Sequence, residues 1–212
     1  MTEALRSANR RNLLTVFITL LILFEMVAYV ATTPRSQEQF FQIYVLGSKR
    51  MAADYYPNND PNILPGDRVT WYLGVTNYMG NAQLAALVIR LGNQTINPPN
   101  DTLGLASPAP LLAEYDRFIQ NNETWEFPFA WYISELTVVN GSSRISQFQI
   151  GNQTIQLPNS MAQNGYNFRI IIELWTLQSD TATLEFGWNT AGQHRVAWVQ
   201  IWFNATSPAH GP

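Results

Sequence analysis

Apolar residues follow two different patterns along this chain. Near the N-terminus, residues 13–31 form an apolar run of 19 residues without lysine or arginine. At about 1.5 Å per residue, a helix of that length crosses a hydrocarbon core of roughly 30 Å. Because the run is apolar on every side, it predicts a membrane-spanning helix rather than a buried helix of a globular domain.

The rest of the chain has the pattern of an all-β domain. Short runs rich in Val, Ile, Tyr, Phe and Trp alternate with clusters of Asn, Gly and Pro. They predict strands at 40–46, 69–76, 84–91, 127–139, 144–150, 154–157, 166–176, 182–188 and 195–204. Strands of this number and spacing indicate a β-sandwich. Both faces of the last run are apolar, so we expect a central strand that is covered on both sides.

One segment of the β domain has helical spacing. Within residues 108–121, apolar side chains recur at the intervals of an amphipathic helix. These side chains are Leu111, Leu112, Tyr115, Phe118 and Ile119. Ser107 is placed to cap the N-terminus, with Pro108 in the first turn. We therefore expect one short helix across an end of the sandwich. Elsewhere, Asn140-Gly141 predicts a type I′ hairpin.

The charges around the apolar run predict its orientation. Arg6, Arg10 and Arg11 precede the run, and no positive charge follows until Arg35. This asymmetry places the N-terminus in the cytoplasm. The run is longer than a typical signal-peptide core and lacks a small-x-small cleavage site, so we favour an uncleaved anchor. The expected order is a cytoplasmic tail (1–12), a transmembrane helix (13–31), a linker (32–39), an extracellular sandwich (40–207) and a flexible tail (208–212).

The composition limits the classes of function. The chain has no cysteine, a net charge of −3 and 13% charged residues, and Lys49 is its sole lysine. A nucleic-acid surface would need a basic stripe, so we expect no nucleic-acid partner. Six Asn-x-Ser/Thr acceptors for N-linked glycans lie after the run. They are Asn93, Asn100, Asn122, Asn140, Asn152 and Asn204. Many glycan acceptors without any cysteine favour an archaeal surface glycoprotein.

Glu25 is the unusual residue of the predicted membrane span. A carboxylate deep in lipid costs roughly 2.5–3.5 kcal/mol on insertion scales, and such residues are functional hypotheses by default. Glu25 either contacts a partner helix or is a protonated acid near the outer leaflet, and the sequence leaves both interpretations open. A partner would be another membrane or envelope protein.

No catalytic or metal-binding motif is present, so we expect no enzyme activity and no cofactor. The two histidines, His194 and His210, have the surroundings of surface residues, one in a turn and one near the C-terminus. There is no Cys nucleophile, no Gly-x-Ser-x-Gly and no His-Glu-x-x-His. Two histidines and scattered carboxylates do not make a metal-ligand spacing.

Two weaker possibilities concern carboxylates and tryptophans. Asp54, Asp60 and Asp67 lie among asparagines and could offer oxygen ligands to calcium, but a plain polar loop is favoured. Carboxylate pairs for glycoside hydrolysis could be drawn from Glu114, Asp116, Glu123, Glu126 and Glu135. Trp125, Trp131 and Trp188 could stack on sugars, although core packing accounts for such residues more simply.

Four segments carry a family resemblance: residues 40–47, 54–77, 121–129 and 186–207. With them the chain resembles the archaeal membrane-protein family called domain of unknown function 1616. The resemblance implies an immunoglobulin-like extracellular sandwich with a Tyr55-Tyr56-Pro57 segment and a terminal strand motif at 201–206. The family often has several membrane spans, whereas one is predicted here. It has no settled activity, so the resemblance implies topology and lineage only.

Three classes of function remain open at this point. The leading hypothesis is a non-enzymatic, single-pass surface glycoprotein that serves a membrane or envelope complex as an accessory or structural subunit. A pilin-like or archaellum-stator-like filament component is the second; a native chain that begins near residue 12 would support it. An extracellular hydrolase or solute-binding protein is the third, and it would need a pocket with paired carboxylates or convergent aromatic residues.

Overall fold

The computed structural model describes residues 2–33, 38–190 and 192–207. The chain divides into two compact units, Met1–Glu38 and Gln39–Pro212. The predicted linker at 32–39 lies partly outside the described residues, and the predicted tail at 208–212 lies wholly outside them.

The first unit contains one α-helix, α1 (Thr2–Thr32). Its stretch Leu13–Thr32 is long and apolar enough to cross a membrane, and none of that stretch is buried. Phe24, for example, is 74% exposed. The hydroxyl of Thr19 donates to the Thr15 carbonyl oxygen over 2.9 Å, which satisfies this polar group within the helix itself. The predicted helix is therefore confirmed, and its apolar surface has no protein cover in the described residues.

The second unit is mainly β, and its strands are numbered here in chain order. They are β1 (Phe41–Leu46), β2 (Asn62–Ile63), β3 (Val69–Asn77), β4 (Gln83–Asn93), β5 (Leu111–Ile119), β6 (Thr124–Val139), β7 (Ser142–Ile150), β8 (Gln153–Gln163), β9 (Phe168–Leu177), β10 (Leu184–Phe186), β11 (Trp188–Thr190), β12 (Gln193–Arg195) and β13 (Trp198–Ala205). One sheet has the order β1-β3-β6-β7-β8. The other has the order β2-β13-β9-β4-β5, with β10 beside β9. β11 and β12 form a separate hairpin.

The two sheets enclose one hydrophobic core, so the predicted sandwich is confirmed. The alternation along β3 places Trp71 and its neighbours at i ± 2 in the core. Trp131 of β6 is fully buried at the centre. Its ring centroid lies 5.0 Å from that of Phe148 in its own sheet and 5.1 Å from that of Phe203 in the opposite sheet. The tryptophan thus joins the two layers.

The prediction of a short helix at 108–121 is wrong, because this segment contains strand β5. β5 pairs antiparallel with β4, and the register shifts where Ile89 pairs with Ala113 and Arg90 with Leu111. The shift leaves Leu112 as an extra residue, so the strand can contain two successive apolar residues, Leu111 and Leu112, instead of strict alternation. Phe118 is apolar but 63% exposed. A β-bulge and one exposed phenylalanine together imitate helical spacing.

The prediction that the last strand is central and covered on both sides is also wrong. β13 has only the two-residue strand β2 beyond it, and Trp202 is 38% exposed. β9 takes the central position instead, and its residues Phe168–Leu174 are buried on both faces. The second face of β9 is covered by the 94–109 loop, whose contacts are given below.

The predicted type I′ hairpin at Asn140-Gly141 is confirmed by the backbone conformation. Asn140 and Gly141 have φ of 50° and 76°, as a type I′ hairpin requires, and they join β6 to β7. The predicted strand at 182–188 is interrupted at Gly187, which has φ of 85°. A Cβ there would lie 2.1 Å from the Arg195 carbonyl oxygen. Glycine is therefore needed where β10 ends and β11 begins.

Candidate functional site

A polar cleft of about 380 Å³ lies beside the segment that follows β1. We use the name polar cleft for the concavity whose charged lining residues are Lys49, Asp54 and Arg68. Its other walls include Tyr55, Tyr56, Asn58, Asn59 and Thr70. The sequence singled out Asp54 only as a weak calcium candidate and did not predict this cleft.

Hydrogen bonds to the sandwich hold one wall of the polar cleft. The Tyr55 hydroxyl donates to the Val45 carbonyl oxygen over 3.2 Å, and the Trp71 indole N–H donates to the Tyr55 carbonyl oxygen over 2.6 Å. The Tyr56 hydroxyl donates to the Trp202 carbonyl oxygen in the opposite sheet. Burial raises the pKa of Tyr56 to about 12. The two tyrosines therefore fix the cleft wall to both sheets.

The backbone beside the polar cleft is held in an unusual conformation. Arg50, Asp54, Asn58 and Asn59 all have φ between 54° and 57°. Left-handed conformations of residues other than glycine cost of order 1–3 kcal/mol each, somewhat less for asparagine, and they cluster at ligand-binding sites. Gly47 marks another close approach, because a Cβ there would lie 1.9 Å from the Ala53 carbonyl oxygen.

Charge in the polar cleft is only partly neutralised. Lys49 Nζ lies 3.2 Å from Asp54 Oδ2. Among the described residues, the Arg68 guanidinium has no hydrogen-bond or ion-pair partner, and neither do the side-chain amides of Asn58 and Asn59. Because one of the two cations is paired and the other is not, the cleft carries a net positive charge.

Next to the polar cleft, a charged pair lies on the outer face of the first sheet. The Tyr44 hydroxyl donates to Glu126 Oε2 over 3.0 Å, and Arg50 Nε lies 3.3 Å from Glu126 Oε1. The Arg50 guanidinium stacks 4.5 Å from the ring centroid of Tyr72. Burial, and then the hydrogen bond to Glu126, raise the pKa of Tyr44 to about 12. Both carboxylate oxygens of Glu126, a candidate for glycosidase chemistry, are therefore bound by neighbouring side chains.

The remaining carboxylate candidates lie on or next to strands β5 and β6. Glu123 Oε1 lies 2.8 Å from Arg117 Nη2, while Glu114 and Asp116 are exposed on β5. Glu135 lies at a register shift between β6 and β7. None of the five predicted carboxylates lines the polar cleft.

The calcium candidates bind backbone groups or a lysine instead of facing one another. Asp60 Oδ1 accepts from the backbone N–H of Asn62 over 2.9 Å, and Asp67 Oδ2 accepts from that of Leu64 over 3.0 Å. In the described part of the chain, no three His, Cys, Asp or Glu side chains are grouped so that they could hold a metal ion.

The predicted histidine and tryptophan positions divide into surface and core. His194 is exposed in β12, where its Nδ1 lies 3.1 Å from Asn189 Oδ1. His210 lies outside the described residues. Trp125, Trp131 and Trp188 belong to the hydrophobic core, as the simpler interpretation predicted.

Four of the six glycan acceptors are exposed in turns and loops. Asn122 and Asn140 lie in the turns before and after β6, and Asn152 lies in the turn between β7 and β8. Asn100 lies in the 94–109 loop, where it forms an isolated bridge with Leu105. These four amides are accessible to a modifying enzyme.

The other two acceptors are held by the fold. Asn93 is 8% exposed; its side-chain amide donates to the Met161 carbonyl oxygen over 2.6 Å and accepts from Thr95 and Ile96. Asn204 lies within β13, and its amide donates to Asn62 Oδ1 over 2.9 Å. The sequence motif alone could not separate these two from the exposed four.

Glu25 is exposed on α1, and within the described residues it has no hydrogen-bond or ion-pair partner. The contact with a partner helix that the sequence predicted for it stays a prediction.

A buried polar network on β9 was missed by sequence reasoning. Glu173 is fully buried and accepts from Arg90 Nε (2.9 Å), the Ser107 backbone N–H (2.6 Å) and Trp175 Nε1 (3.1 Å). Ser107, predicted to cap a helix, thus anchors the 94–109 loop. Near the start of β9, Arg169 donates to the Ile96 carbonyl oxygen. A glutamate within an apolar strand was the available sign of this network.

Comparisons with known proteins add little to this geometry. No family model matches the chain, and no curated protein matches it. Two solved structures of a beta-glucosidase from Listeria innocua, in complex with glucose and with gluconolactone, each cover 80% of this chain. Their sequence identities are 10% and 9%, and their TM-scores are 0.38 and 0.33. This chain spans only 17% of their length. The resemblance to domain of unknown function 1616 stays a prediction.

Proposed function

We propose that this protein is a non-enzymatic, single-pass surface glycoprotein that holds a β-sandwich outside the cell membrane. In this role it serves as an accessory or structural subunit of a membrane or envelope complex. The observation that carries the proposal is the uncovered apolar stretch Leu13–Thr32. Exposing apolar surface to water is unfavourable by about 25 cal/mol per Å², so a stretch with this many large apolar side chains favours burial in lipid.

The sandwich supports the same proposal because its core is complete without α1. The hydrophobic core residues all come from the second unit, from Phe41 to Ala205. The helix contributes no residue to that core, which is what a membrane anchor requires.

The exposed acceptors favour the extracellular side for the sandwich. Asn100, Asn122, Asn140 and Asn152 are all exposed in turns or loops. N-linked glycans at these positions would add polar cover to a chain with only 13% charged residues. The arginines before the apolar run favour the same orientation.

The orientation can be tested by cysteine labelling, because the natural chain has no cysteine. We would make Gln153→Cys, at an exposed position on β8, and Ser7→Cys, before the apolar run, as the matched control. A maleimide that cannot cross membranes should label Gln153→Cys in intact cells and Ser7→Cys only after permeabilisation. The reverse pattern, or release of the protein by an alkaline wash, would overturn the proposal.

The role as a subunit can be tested at Glu25. Glu25→Leu should leave the β domain folded but remove a partner from the complex obtained by gentle detergent extraction, because the ion pair or hydrogen bond to the partner helix is lost. Glu25→Gln, which keeps a hydrogen-bonding group, is the matched control and should retain more of the partner. An unchanged set of co-purifying proteins in Glu25→Leu would contradict this role for the residue.

A further inference from the structure

We propose that the polar cleft binds a sugar that carries a carboxylate group, such as a uronic acid unit of a glycan. This inference goes beyond the proposed function, because it assigns a ligand to the sandwich. It depends on the geometry of the cleft alone and does not require the orientation proposed above.

The size of the polar cleft suits a ligand of this kind. Small-molecule sites usually have volumes of roughly 300–1,000 Å³. At about 380 Å³ the cleft falls in the lower part of that range, which fits one or two sugar units rather than a long chain.

Charge selects an acidic ligand. The chain as a whole has a net charge of −3, yet its sole lysine, Lys49, lines this cleft together with Arg68. Lys49 is paired with Asp54, whereas Arg68 has no partner among the described residues. A guanidinium offers a planar set of donors that matches the two oxygens of a carboxylate.

The uncharged lining residues suit the hydroxyl groups of a sugar. The side-chain amides of Asn58 and Asn59 line the cleft, and they have no hydrogen-bond partner among the described residues. Each amide can donate to one hydroxyl and accept from another.

The cleft is also preformed, which lowers the entropy cost of binding. Tyr55 and Tyr56 are tied to both sheets by their hydroxyls, and Ser48 donates its backbone N–H to the Asp54 carbonyl oxygen over 3.2 Å. The strained φ angles of Asn58 and Asn59 are maintained on this fixed wall. Strain that surrounding structure maintains is typical of ligand-binding segments.

The test compares glucuronate with glucose, which differ in the carboxylate, on the full chain in a neutral detergent by titration calorimetry. Glucuronate should bind at least about tenfold more tightly than glucose, as expected from a charge-assisted hydrogen bond. Arg68→Gln should remove that difference. Arg117→Gln is the matched control, because Arg117 is an exposed arginine on β5, and it should leave both affinities unchanged.

A second variant tests the amides without disturbing the backbone. Asn58→Gly keeps the positive φ of this position and removes the side chain, so it should weaken both sugars. The proposal is overturned if glucuronate does not bind, if glucose binds equally well, or if Arg68→Gln behaves like Arg117→Gln. Circular dichroism of each variant verifies that the sandwich is intact.

Discussion

Arg90 Nε lies 2.9 Å from Glu173 Oε2, and the Glu173 side chain is completely buried in the second sheet. The same arginine donates from Nη1 to the Ala109 carbonyl oxygen over 3.0 Å, while Glu173 accepts from the Ser107 backbone N–H. The pair therefore closes the 94–109 loop over β4 and β9. It explains why a glutamate is found in a strand that is buried on both faces.

Glu173→Gln should destabilise the protein strongly. Removing one partner of a buried ion pair leaves the other charge without compensation, which typically costs about 3–5 kcal/mol. Urea unfolding followed by tryptophan fluorescence should show a loss of this size. Glu123→Gln, in the more exposed pair with Arg117, is the control and should cost no more than about 1 kcal/mol. Equal losses in the two variants would contradict this role of Glu173.

Trp131→Ala should also be severe, for a different reason. Its ring contacts Trp71 and Phe148 of one sheet and Phe203 of the other, so truncation opens a cavity between the layers. Phe or Trp to Ala substitutions in cores cost about 3–5 kcal/mol. Trp202→Ala, on the partly exposed strand β13, should cost clearly less in the same unfolding experiment. A larger loss at Trp202 would mean that the centre of the core lies elsewhere.

The sequence predicted the elements whose pattern is decided locally. The apolar run gave the helix, the alternation in β3 gave the buried face around Trp71, and Asn140-Gly141 gave the hairpin. In each case the residues concerned are within a few positions of one another. Their physical requirements, such as positive φ at both turn residues, do not depend on the rest of the fold.

Properties decided by distant partners could not be predicted in this way. The sequence predicts a helix where β5 lies, because the extra residue Leu112 is recognisable only once β4 is placed beside this segment. β9 is buried on both faces because the 94–109 loop covers its second face, and that cover depends on the bond from Ser107 to Glu173. The polar cleft likewise forms only when the segment after β1 meets Arg68, the residue before β3.

The raised pKa values of two tyrosines predict how the stability of the protein changes at alkaline pH. Tyr44 and Tyr56 have pKa values of about 12 in the folded protein, above the ordinary value of 10.0. Because folding favours the neutral phenols, their contribution to the free energy of unfolding is complete below pH 10 and is lost as the pH rises through 12. The free energy of unfolding should therefore fall across this window.

The double variant Tyr44→Phe, Tyr56→Phe should flatten that fall, although it should also be less stable at neutral pH because both hydroxyls lose their hydrogen bonds. Tyr166 is 50% exposed, so Tyr166→Phe is the control and should keep the alkaline fall in the free energy of unfolding that the natural chain shows. An unchanged alkaline fall in the double variant would show that other groups cause it.

The β domain should fold without the helix. A chain that begins at Gln39 keeps every residue of the hydrophobic core. We expect it to be soluble without detergent and to unfold at the same urea concentration as the full chain. A truncated chain that aggregates or loses its near-ultraviolet circular dichroism would show that the core needs α1.

Glycan occupancy should follow the exposure of the acceptor amides rather than the motif. In protein purified from native membranes, mass spectrometry should find glycans at Asn100, Asn122, Asn140 or Asn152 and none at Asn93, whose buried amide binds the Met161 carbonyl oxygen. A glycan on Asn93 would have to displace that bond and open the contact between β4 and β8, so molecules that carry it should not fold.

Asn152→Gln should leave the stability unchanged, whereas Asn93→Gln should cost about 1–3 kcal/mol because its hydrogen-bond partners are left unsatisfied. A folded chain with a glycan on Asn93 would contradict this division, and bare asparagines throughout would count against the glycoprotein itself.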